Sequence, residues 1–184
     1  SMGTWVSYGL GTENENLPGF VTICPTSLHG GANNFGPAFL PSSHGGVPLG
    51  TPGYPNTPAK QATFHYMKNP RADLEEQRLQ LELLRKLNDP RLANSALLEA
   101  RMQSFELAFK MQMAAPEAID LNGETEATKK LYGFGDKDTE PFARNCLLAR
   151  RLVERGVRFV QLYHGTKSKW DSHSKIEANH GRQC

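Results

Sequence analysis

The segment that most constrains this fold is a helix, a glycine and a strand in direct succession. Phe142, Cys146, Ala149 and Val153 recur at helical spacing with Leu148 and Leu152 beside them, so one face of that stretch is apolar. Arg150, Arg151 and Arg155 crowd the closing turns, where cations complement the helix dipole, and Gly156 follows as a residue able to take the left-handed conformation. Val157 to Tyr163 then alternates apolar and polar residues, as a half-buried strand does. A helix that ends on glycine and feeds a strand is half of a β-α-β unit, so the expected class is α/β with parallel strands and flanking helices.

A second strand is expected over Gly19 to Cys24, a β-rich run closed by Pro25. From Pro25 to Pro58 the chain is dense in Gly, Pro, Ser and Asn, with few periodic apolar positions. Residues 25–58 therefore read as a long Gly/Pro-rich loop, ordered and laid over a surface by Phe35, Phe39, Leu40, Leu49 and Tyr54. The apolar and aromatic run from Met2 to Gly11 reads as an internal segment.

Helices follow. Asp73 to Asn88 places Leu79, Leu83, Leu84 and Leu87 on one face, and Asp89-Pro90 is expected to break the helix and start another. Leu98, Met102, Phe105, Phe109 and Met113 then recur at helical steps up to a stop at Pro116, which predicts a helical hairpin over 73–114 with these residues, and Met111, in its seam. A shorter helix is expected from Glu124 to Tyr132, ended by Gly133.

Charge and hydropathy exclude some classes. With 21 Lys and Arg against 19 Asp and Glu, the net charge of +2 offers no basic field for nucleic acid. No stretch reaches the ~20 apolar residues of a membrane-spanning helix. Cys24, Cys146 and Cys184 are scattered, fitting neither a disulfide framework nor a zinc knuckle, and Cys146 on its apolar face reads as a packed thiol.

Ligands in open parallel sheets bind beyond the carboxyl ends of the strands. The strand over 157–163 delivers His164 and Gly165 to such an end, and Trp170-Asp171-Ser172-His173 follows. Asp171 and His173 are two residues apart, which in extended backbone sets both side chains on one face, where one divalent ion can accept an oxygen and a nitrogen. The alternative is that Asp171 caps a turn and His173 is a surface residue. Among the other histidines, His29 and His44 precede glycine pairs in the long loop, His65 reads as a packing residue, and His180 lies apart. No phosphate-binding glycine loop, nucleophile elbow or His-Glu-x-x-His helix is present.

The stretches Met2 to Gly11, Asn16 to Val21, Phe105 to Gln112, Arg150 to Gln161 and Trp170 to His173 together resemble a bacterial family catalogued as domain of unknown function 1501. The resemblance runs from end to end. It implies an alkaline phosphatase-like fold, within a superfamily of mostly two-metal hydrolases and transferases of phosphate and sulfate esters. Because members of the family are longer, residues 1–184 are expected to be a single partial domain, inactive alone. By resemblance Asp171 and His173 ligate one divalent metal (zinc, calcium or similar), although relatives commonly space the pair more widely. His164 and Trp170 would stand behind the ligands or face the substrate, a small-molecule or polysaccharide ester. The catalytic nucleophile stays unassigned, since Leu28 breaks the sulfatase Cys-x-Pro-x-Arg pattern around Cys24 and Ser27. The family implies an exported or periplasmic protein. The alternative is a catalytically silent exported binding or structural protein on the same fold. Oligomeric state is left open.

Overall fold

Phe20, Val21, Thr22 and Ile23 are all buried, which places their strand inside the sheet rather than at an edge. The computed structural model describes residues 1–28, 30–53, 57–92, 94–164 and 170–181. In chain order its elements are helix α1 (Met2–Leu10), strand β1 (Phe20–Ile23), strand β2 (Val47–Leu49), helices α2 (Leu74–Leu92), α3 (Ala96–Ile119), α4 (Glu126–Tyr132) and α5 (Glu140–Glu154), strand β3 (Phe159–Leu162) and helix α6 (Ile176–His180). The strands form a parallel sheet in the order β2-β1-β3, with Val21 opposite both Val47 and Val160. The chain is thus α/β with a parallel sheet and flanking helices.

Alternation along the strands divides the core. Val21, Ile23, Leu49, Val160 and Leu162 pack with Leu147, Leu148 and Leu152 of α5 and with Met111, Ala115 and Ala118 of α3. On the opposite face Phe20 and Phe159 meet edge to face, ring centres 5.3 Å apart, beneath α1. The helix α1 buries Gly3, Thr4 and Ser7 and turns Met2, Trp5, Tyr8 and Leu10 outward. Its small residues, not its aromatic ones, touch the sheet.

The stretch expected as one long loop contains β2. The three residues of β2 are submerged in the Gly, Pro, Ser and Asn of this stretch; Pro48 removes a ladder donor, but β2 lies at an edge of this sheet, where proline is tolerated. Of the proposed anchors, Phe35 and Leu49 are buried, Leu40 is half-buried and Phe39 is exposed, while Tyr54 lies outside the described residues. His65 is exposed and shares a hydrogen bond with Thr51 Oγ1 at 2.9 Å, so it is not a packing residue.

Neither proline ends its helix where expected. Pro90 lies inside α2 and Pro116 inside α3, each in the closing turn, where the ring removes one hydrogen bond without interrupting a long run. The break falls instead at Ser95, whose hydroxyl accepts from Leu98 N. Within α3 Met102 and Met111 are buried, Leu98 and Phe109 are half-buried, and Phe105 and Met113 are exposed. The buried stripe of α3 runs through Ala100, Met102, Met111, Ala115 and Ala118, so the two expected methionines are joined by alanines that spacing did not single out. Leu79, Leu83, Leu84 and Leu87 are all exposed on α2, none of whose residues is buried.

Before the site, α5 is fixed from two sides. Glu124 receives Arg150 Nη2 at 2.6 Å and Arg151 Nη1 at 2.7 Å, which ties the turn ahead of α4 to α5. Gly156, with φ of 86°, then turns the chain into β3. Val153, expected on the apolar face of α5, is exposed, and Leu147 takes the buried position.

Candidate metal centre beyond the carboxyl edge of the sheet

Because the strands are parallel, their carboxyl ends share one edge, and the chain leaves it at Cys24, Gly50 and Tyr163. Cys24 leaves β1 with a positive φ of 49° and a buried side chain, its Sγ lying 3.7 Å from Asn145 Oδ1 of α5. Burial pushes the Cys24 thiol up to about 11, against a smaller opposing effect of the Asn145 hydrogen bond. Burial also raises the Tyr163 phenol and the Cys146 thiol. These are the surroundings of packed groups rather than activated nucleophiles.

At the end of β3, His164 sets its ring edge-on to Phe142 of α5, with centres 4.5 Å apart. Trp170 Nε1–H donates to His164 Nδ1 at 3.2 Å. A neutral His164 therefore carries its proton on Nε2. His180 Nε2 in turn donates to the Trp170 carbonyl at 2.9 Å, so α6 folds back onto Trp170. Trp170 is held between two imidazoles, and the residue that follows it is Asp171.

Asp171 Oδ2 and His173 Nε2 lie 3.4 Å apart, with 63% and 90% of their side chains exposed. Two donors bound to one zinc at the usual lengths of about 2.0–2.2 Å, in tetrahedral geometry, stand roughly 3.3–3.5 Å apart. The separation matches two ligands on one ion and equally a direct contact between the imidazole and the carboxylate. Among the described residues no group of three or more His, Cys, Asp or Glu is arranged to hold a metal. The sequence-derived residues thus fall into two pairs, Asp171 with His173 and Trp170 with His164, joined through the Trp170–Asp171 peptide bond.

Sequence reading missed Asn145, Phe142 and His180 as parts of this edge. Asn145 carried a signal, a polar residue between the apolar positions of α5; the seat of His180 on Trp170 carried none. His44 is spent elsewhere, hydrogen-bonded through Nδ1 to Ser7 Oγ at 3.3 Å, while His29, Gly165 and Cys184 lie outside the described residues.

The model of the family described as "Protein of unknown function (DUF1501)" matches residues 1–184. The chain belongs to this family. No curated protein and no solved structure matches it. Among the described residues of this family member no helix is long and apolar enough to cross a membrane.

Proposed function

We propose that the chain is a section of a metal-dependent ester hydrolase of the alkaline phosphatase and sulfatase type, in which Asp171 and His173 bind one divalent cation. The observation that carries this reading is the 3.4 Å separation of Asp171 Oδ2 and His173 Nε2, exposed beyond the carboxyl end of a parallel strand. An oxygen and an imidazole nitrogen suit zinc better than calcium, which prefers oxygen alone. Such an ion would polarise the phosphoryl or sulfuryl oxygen of an ester and acidify a bound water. The residues of the chain do the positioning: Asp171 supplies negative charge, His173 must stay neutral to present its lone pair, and Trp170, pinned by His164 and His180, fixes where Asp171 starts.

Two protein donors are fewer than the three that a catalytic zinc usually takes, so remaining ligands would come from outside the described residues. The substrate class in this proposal is a sulfate or phosphate ester of a small molecule or polysaccharide, met in an exported or periplasmic setting. A catalytically silent exported binding or structural protein that keeps the fold is the second reading. Hydrolysis of aryl phosphate and aryl sulfate, with and without chelator, separates the two when measured on this chain and on any longer polypeptide that carries it. Chelator-sensitive turnover in the longer form, lost in Asp171→Ala, supports the hydrolase; turnover that chelator and that substitution both leave unchanged contradicts it.

A further inference from the structure

The helix α2 is amphipathic twice over. At 100° per residue, Gln77, Leu81, Arg85 and Leu92 fall on one side, and this side meets α3: Gln77 Oε1 accepts from Gln112 Nε2 at 2.7 Å, and Arg85 reaches Glu106 and Glu99. Leu79, Leu83 and Leu87 fall on the side directly opposite, one helical turn apart, and all three are exposed. A surface leucine needs no explanation singly, but three in register on a helix whose main neighbour lies behind it form a seam.

Charge says what the seam fits. The first half of α2 and its cap carry Asp73, Glu75, Glu76 and Glu82 against Arg78, which is held within the helix by Glu75 and Glu82. The second half carries Lys86 and Arg91 against Asp89, while Arg85 is turned to Glu106 and Glu99 of α3. A helix acidic at its start and basic at its end is complementary to itself when reversed. We propose that the Leu79–Leu83–Leu87 face binds the same face of a second copy of this chain, antiparallel, with Leu83 on the two-fold axis. Leu79 then meets Leu87 of the second copy, Lys86 lies beside Glu82 of the second copy, and Arg91 approaches its Asp73 and Glu76. Because α2 is about 28 Å long, the contact sits at the small end of specific interfaces, so a weak, concentration-dependent dimer is expected.

Sedimentation velocity across roughly 1–500 µM reads the association directly. A concentration-dependent dimer is expected, weakened at least about 100-fold by Leu83→Glu, which sets two carboxylates face to face on the axis. The exposed position of Leu83 lets that variant fold, and an unchanged helical circular dichroism spectrum verifies it. In a Cys184→Ser background, oxidised Leu83→Cys should cross-link at least about 10-fold faster than Leu79→Cys or Leu87→Cys, since only the axial residue meets its own copy. A monomer throughout the range, a dimer indifferent to Leu83→Glu, or equal cross-linking at the three positions would overturn the proposal.

Discussion

Gly3 of α1 lies so close to Phe20 of β1 that a Cβ on residue 3 would fall 2.7 Å from the Phe20 ring, and equally close to Phe159. This contact lets α1 rest directly on the sheet. Gly3→Ala improves helix propensity by about 1 kcal/mol, yet the overpacking of two rings costs about 2–3 kcal/mol, so a net loss of about 1–2 kcal/mol is expected in denaturant titration. A neutral or stabilising Gly3→Ala would show that α1 does not seat on Phe20.

Met102 and Phe105, which spacing placed in one seam, differ sharply in burial. With 2% of Met102 and 46% of Phe105 exposed, Met102→Ala is expected to cost about 2–4 kcal/mol and Phe105→Ala less than about 2. The order of the two unfolding free energies is the check. A larger loss for Phe105→Ala would mean that α3 is rotated about its axis relative to this structure.

Glu124 links stability to pH. Its hydrogen bonds from Arg151 and Arg150 hold its carboxyl below the ordinary value of 4.5. A depressed carboxylate stabilises the fold fully above its unfolded value, and that contribution disappears as pH falls through the folded value. Wild type should therefore lose more stability than Glu124→Gln between about pH 5 and pH 3, while at pH 7 the variant is the less stable by about 1–3 kcal/mol. Parallel stability curves for the two proteins would remove the Glu124 clamp.

Cys24 should be inert in the folded chain. A thiol raised to about 11 is ionised only to about one part in a thousand at pH 8, and its burial blocks access besides. Iodoacetamide should modify Cys24, identified by peptide mapping, only after denaturation. Rapid labelling of the native chain would mean that the carboxyl edge of β1 is open.

What was legible in the sequence was what repeats. The α5–Gly156–β3 unit and the strand from Phe20 to Ile23 carried periodicity and a stop signal, and both pointed to a parallel sheet. What escaped was carried by small or atypical residues. Gly3, Thr4 and Ser7 form the contact face of α1, and Ala100, Ala115 and Ala118 that of α3, because close approach selects for small side chains that a search for large apolar ones ignores. The strand β2 was submerged in the Gly, Pro, Ser and Asn of its stretch, and Pro90 and Pro116 announced breaks that closing helical turns absorb. At the candidate site, spacing alone brought Asp171 and His173 to one face, whereas the hold of His164 and His180 on Trp170 depends on α6 folding back, which no local pattern records.

Asp171 and His173 are the proposed ligands, and the most direct measurement is bound metal. Zinc content by elemental analysis after equilibration and desalting, with zinc titration by calorimetry alongside, should be compared for wild type, Asp171→Ala and His173→Ala. In the longest polypeptide that carries this chain, wild type should hold about one more equivalent than either variant. Equal metal in all three proteins would contradict the account and remove both residues from any metal site.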